Sequence, residues 1–215
     1  MKIKEILCVA FFLLPTLSFA TPNIDVNEKA ELSKGAMIKK VEWKEGYVWP
    51  EVTIYVLLNH APLDNINVFL DFEAHKKYIP DMIESKILKK ISKNQTHVYF
   101  EMEMPWPVKK TSHVTNNIVT NNIDGSYTLK WNLVKAEMLK ATDGHMTFSP
   151  YEGKTLLTYV SLIVPNSSFA GMFKDRVAKD VEKSVTKITK HLTATLNKKD
   201  HLFSTTKKQS NQNNL

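Results

Sequence analysis

The spacing of apolar residues changes period at Pro165, and that change constrains the fold more than any other feature of the chain. From Ile83 to Val164 the chain reads as strand after strand, several with clean apolar–polar alternation. After Pro165, Phe169, Met172, Phe173, Val177, Val181, Val185, Ile188, Leu192 and Leu196 recur every three or four residues. A period of two sorts side chains onto the faces of a sheet, and a period near 3.6 lines one face of a helix. The chain is predicted to form an antiparallel meander followed by an amphipathic helix of about seven turns. A meander with one apolar face has to cover it, and the helix carries the matching stripe. The expected class is α+β, a curved antiparallel sheet gripping a long C-terminal helix.

Local signals fill in the order. Asn23 to Lys34 reads as a short polar helix, Ala36 to Trp43 as a first strand, and Tyr47 to Leu58 as a longer one rich in Val, Ile and Tyr. Trp49-Pro50 marks an edge or a bulge near its start. Pro62 suits a helix N-terminus, with Ile66, Phe69 and Leu70 following at helical spacing. A second short helix is expected from Phe72 to Tyr78, stopped by Pro80. Strands are then predicted over Glu84–Ile91, Thr96–Met104, Ser112–Asn121, Tyr127–Leu133, His145–Phe148 and Thr155–Val164. In the second of these, Val98, Phe100, Met102 and Met104 share the inner face, and His97, Tyr99, Glu101 and Glu103 the outer. Asp124-Gly125 is a strong hairpin signal. Ser167 and Ser168 are good N-caps for the long helix.

The two ends differ from this body. Lys2 and Lys4 precede an apolar run from Ile6 to Leu17, and Ser18-Phe19-Ala20 offers small residues where a signal peptidase reads. Residues 1–20 are read as a signal peptide cleaved after Ala20, and 198–215, rich in Lys, Asn, Gln and Ser, as a disordered tail. The domain between is assigned to residues 21–197. Cys8, the sole cysteine, would leave with the signal. An exported chain without disulfides fits a bacterial periplasm. The net charge is +7, yet among 29 basic residues only Arg176 is arginine. Nucleic-acid sites lean on arginine for bidentate contacts, so no nucleic-acid partner is expected. Weak attraction to anionic membrane faces is the secondary reading of the lysines.

Catalytic and metal signatures are sparse. No serine lies in a G-x-S-x-G turn, and the seven histidines form no i,i+4 pair. Six scattered glycines build no phosphate loop. No catalytic residue, metal or cofactor is assigned. As acid–base groups for an enzyme, the best candidates are His145, Tyr159 and Lys110.

Several short motifs, in order, carry a family resemblance. Phe69-Leu70-Asp71-Phe72 with Tyr78-Ile79-Pro80 forms a helix pair ending on an aromatic-x-Pro, Val98 to Pro107 a strand ending in Pro-Trp-Pro, and Gly153-Lys154-Thr155 with Tyr159 a G-x-T-x-x-x-Y strand. With Pro165 and the helix after it, the chain resembles the START-like branch of the Bet v 1-type (SRPBCC) superfamily over roughly Val41 to Leu196. The resemblance implies a helix-grip fold with a hydrophobic cavity between sheet and C-terminal helix. One departure stands out. Relatives often carry an Arg-Asp pair soon after Pro-Trp-Pro, and here the chain reads Val108-Lys109-Lys110-Thr111.

The resemblance implies that the chain binds or carries a hydrophobic small molecule, a lipid, without chemistry. Soft and aromatic residues on facing elements suit such a cavity: Phe100, Met102, Met104, Trp106, Trp131, Met146, Phe148, Phe169, Met172 and Phe173 are the candidate ligand-binding residues. Trp106 reads either as a rigid aromatic at the cavity mouth or as plain core. Phe169, Met172 and Phe173 are expected at a gate hinged on Pro165–Ser168. An acyl chain of about twelve carbons would gain on the order of 10 kcal/mol on burial, against association costs of ~4–15 kcal/mol. The expected state is a monomer with transient membrane contact. A cyclase/aromatase-like enzyme using the same cavity, and an envelope interaction module, are the alternatives.

Overall fold

The structure is a computed structural model, and it describes residues 24–106, 108–166 and 170–212. The signal-peptide reading, the N-caps Ser167 and Ser168, Phe169 and Pro107 fall outside the described residues.

The elements run α1 (Val26–Ser33), β1 (Ile38–Glu42), β2 (Glu51–Leu58), α2 (Pro62–Phe69), a 3₁₀ turn (Phe72–Lys77), β3 (Met82–Ser92), β4 (Gln95–Glu103), β5 (Lys110–Asn121), β6 (Tyr127–Ala136), β7 (Leu139–Tyr151), β8 (Lys154–Pro165), a 3₁₀ turn (Ala170–Phe173) and α3 (Val177–Gln212). The eight strands make one antiparallel sheet in the order β1-β2-β8-β7-β6-β5-β4-β3. β3 to β8 form a continuous meander. β8 then pairs with β2, Val52 facing Ser161, which joins the first two strands to the end of the chain. Register shifts at Ile87/Lys89, Val114/Thr115 and Leu139/Ala141 are the bulges that help the sheet curl. The architecture is α+β, a curved sheet around a long C-terminal helix.

Local chemistry explains the ends of the elements. Asp25 and Glu28 form a capping box at α1: Asp25 Oδ1 accepts from Glu28 N at 2.9 Å, and Glu28 Oε2 from Asp25 N at 2.8 Å. Pro62 opens α2, whose start is pinned by Asn65 Nδ2 donating to His60 O at 2.7 Å. Glu152 and Gly153, both at positive φ, make the tight β7–β8 turn.

α3 buries Val185, Ile188, Leu192 and Leu196 against Ile54, Val56 and Leu157 of the sheet and against Ile66 of α2. α1 covers part of the opposite face, packing Leu32 on Tyr55 and Leu156. That is why β2 and β8 are buried on both faces there.

Three expectations shift. The long helix begins at Val177, because Ala170–Phe173 winds as a separate 3₁₀ turn. The strand expected over His145–Phe148 runs from Leu139 to Tyr151, since its polar half pairs as fully as its apolar half. The helix expected to run to Leu196 continues to Gln212, over most of the segment that composition assigns to a disordered tail; a nucleated helix propagates at little cost per residue.

Candidate functional site

Between the concave face of the sheet and α3 lies a cavity of about 550 Å³. That volume is within the ~300–1,000 Å³ typical of small-molecule sites. Phe100 and Met102 of β4, Met104 just past its end, Trp131 of β6, and Tyr159 and Ile163 of β8 line the sheet side. Phe173, Val177, Val181 and Ile188 line the helix side. Phe69, Phe72 and His75 close one wall.

Trp131 owes its position to a missing side chain. A Cβ on Gly144 would stand 2.3 Å from Val160 O and 2.4 Å from the Trp131 ring. The indole occupies that space and packs at 5.4 Å on Tyr159. Burial pushes the Tyr159 hydroxyl up to about 12. His75 is held among Phe69, Phe72, Tyr78 and Phe100. Its Nε2–H donates to Phe69 O at 2.8 Å, and burial lowers its pKa to about 4.

Charge is confined to one end. Asp81, Glu103, Arg176, Asp180 and Lys183 line the cavity, and none of them is buried. Lys183 Nζ lies 3.6 Å from Asp81 Oδ2, and Arg176 Nε 3.7 Å from Asp180 Oδ2. They mark the mouth, where the β3 start, the β4 end and the first turns of α3 converge. Beside it, Trp49 Nε1 donates to Ala170 O at 2.8 Å and ties down the turn before α3.

This architecture recurs among solved structures. A STAR-related lipid transfer protein of Xanthomonas axonopodis matches with a TM-score of 0.66 at 21% identity, over 73% of this chain and 93% of that one. The fold is START-like. Human StAR-related lipid transfer protein 5 matches at TM-score 0.62 and 9% identity, over 74% of this chain and 82% of that one. The Zhui aromatase/cyclase of a Streptomyces species matches at 0.52 and 13%, over 67% of this chain and 91% of that one. By sequence, no family model and no curated protein matches the chain.

Within the START-like fold, the residues singled out from sequence divide. Phe100, Met102, Met104, Trp131 and Phe173 line the cavity. Met146 and Phe148 do not: both are fully buried in the solid core, on the strand that α2 covers directly. Trp106 is 80% exposed and Met172 63% exposed, so neither is core and neither lines the cavity. Trp106 stands on a turn in which Val108 N bonds Pro105 O at 3.1 Å and Lys109 takes φ +65° to return the chain, which leaves the indole projecting outward. Phe169 is outside the described residues.

Of the acid–base candidates, only Tyr159 reaches the cavity. His145 alternates with the inward Gly144 and Met146 and so takes the opposite face. Lys110 is exposed and donates to Glu101 Oε1 at 2.6 Å, a bond that raises its pKa and keeps it charged. Neither Lys109 nor Lys110, in the region where relatives carry Arg-Asp, lines the cavity. Among the described residues no three His, Cys, Asp or Glu side chains are placed to hold a metal ion, and no helix is long and apolar enough to cross a membrane.

Sequence reasoning missed the polar part of the wall. Thr111, His113, Thr115 and Asn117 of β5, with Thr142 and Ser161, all line the cavity. β5 is mostly polar, and its few apolar residues, Val114, Ile118 and Val119, fall on both faces, so hydropathy could not say which side turns inward. Its pairing with β4, Phe100 opposite His113 and Met102 opposite Thr111, decides it.

Proposed function

We propose that this chain is a non-enzymatic binder or carrier of a hydrophobic ligand, a lipid, held between the sheet and α3. The observation that carries the reading is the 550 Å³ cavity, walled largely by aromatic, methionine and aliphatic side chains. The titratable groups inside it favour binding over catalysis. Burial holds His75 and His113 neutral at pH 7 and Tyr159 protonated. The lipid transfer proteins with the same fold point the same way.

A second reading is an enzyme acting on a small hydrophobic substrate, as the match to an aromatase/cyclase allows. Tyr159, buried beside Trp131, is the residue it would use. Tyr159→Phe separates the two: a carrier keeps its ligand uptake, and an enzyme loses turnover.

We further propose that the protein is exported to a bacterial periplasm and works there as a monomer. Cargo would be exchanged during transient contact with a membrane. The exposed Trp106 and Met172 support that contact, since each is next in sequence to a cavity-lining residue, Pro105 and Phe173, and offers an apolar group for the lipid interface.

The test is native mass spectrometry of protein purified from a periplasm, alongside an organic extract of the same sample. A stoichiometric added mass recovered as a lipid is the expected result. Failure to take up any lipid, either as isolated or when challenged with a lipid panel, would sink the reading.

A further inference from the structure

The cavity wall holds more hydrogen-bonding groups than a purely apolar cargo needs. Thr111, His113, Thr115 and Asn117 fall at every second position of β5 and all face inward. Steps of two strand residues space them about 7 Å apart. The inner pair is self-satisfied, Asn117 Nδ2 donating to Thr115 Oγ1 at 2.8 Å. The outer pair is not. Thr111 Oγ1 and His113 Nδ1 are buried and have no hydrogen-bond partner among the described residues. Native proteins satisfy nearly all such atoms, and the open volume beside these two is the cavity.

No charge accompanies them inside. The charged residues that line the cavity, among those described, stand at the exposed mouth, where two pairs already engage each other. His113 is itself uncharged, burial lowering its pKa to about 4.

We propose that Thr111 and His113 form a head-group site for an uncharged lipid whose polar group is a hydroxyl, its chain lying along Phe100, Met102 and Trp131. A hydroxyl both donates and accepts, so it matches a threonine and an imidazole in either tautomer. A phosphate or carboxylate at the same place would be buried without a counter-charge, which is strongly unfavourable. The inference rests on the cavity being a ligand site, and adds what kind of head it takes.

The experiment is a competition series on the whole exported chain with one shared oleoyl chain. Oleyl alcohol and monooleoylglycerol are compared with oleate and oleoyl lysophosphatidylglycerol, at a pH where the carboxylate is ionised. Each displaces an uncharged fluorescent hydrocarbon probe. The neutral hydroxyl lipids should bind at least tenfold more tightly, ~1.4 kcal/mol. The double variant Thr111→Val with His113→Phe should lose about that factor for them relative to the hydrocarbon probe bound by the same variant. Equal affinities, or a preference for the anionic lipids, would overturn the head-group inference while cavity binding stands. So would a preference that survives in the variant. Failure of the probe and of every lipid to bind would remove the carrier reading itself. The head-group comparison uses the unaltered chain, so it decides even if the variant does not fold.

Discussion

Gly144 shows how much a single residue decides. Its missing Cβ is what lets Trp131 lie flat against β7 and face the cavity, and the other close atom, Val160 O, is backbone and cannot step aside. Gly144→Ala should therefore destabilise the protein by about 1–3 kcal/mol, as over-packing does, and weaken ligand uptake as the indole is displaced. Thermal melts and probe binding on the same variant check both. His75 sets a second expectation. Its folded pKa of about 4 is below the ordinary 6.5, so the unfolded chain takes up protons that the folded chain refuses. Stability is full above about pH 6.5 and falls as pH drops from there towards 4. Each tenfold loss of proton affinity on folding is worth roughly 1.4 kcal/mol, so His75 alone accounts for on the order of 3 kcal/mol. Denaturant titrations across that window should show the loss, and a folded His75→Gln variant should flatten it.

At the scale of elements, the decisive joint is the short 3₁₀ turn before α3. Its anchor is the buried bond from Trp49 to Ala170 O. Trp49, Ala170 and Val177 form a small cluster of their own, set apart from the main core. Trp49→Phe would keep an aromatic there and remove only the bond. We expect a loss of about 1 kcal/mol, with faster amide exchange confined to the start of α3. Exchange unchanged there would show that packing, not the bond, holds the turn. Trp49 also shows how sequence misleads: beside Pro50 it reads as strand punctuation, yet its partner lies 121 residues away.

For the whole molecule, the cavity is a region where sheet and helix do not fill the space between them. A ligand that fills it binds the folded chain alone and stabilises by mass action, ~2.7 kcal/mol at a hundred times its Kd. A neutral hydroxyl lipid should raise the melting temperature progressively with concentration. An unshifted melt in the presence of saturating lipid would contradict internal binding. The limits of the same hollow explain why Met146 and Phe148 are core and not cavity wall. From their strand alone they look like any inward apolar residue, and only the position of α2 above them makes that part solid.

The sequence by itself determined the element order, the period switch at Pro165 and the stripe Val185–Ile188–Leu192–Leu196, because these rest on spacing within one segment. It also placed Phe100, Met102 and Met104 on the cavity side, because the segment from Thr96 to Met104 alternates cleanly. Only the tertiary structure decided that β8 closes onto β2, that polar β5 turns Thr111 and His113 inward, and that Trp106 points out. Those outcomes depend on which distant strand pairs with which, and on where a helix covers the sheet. No local pattern encodes either.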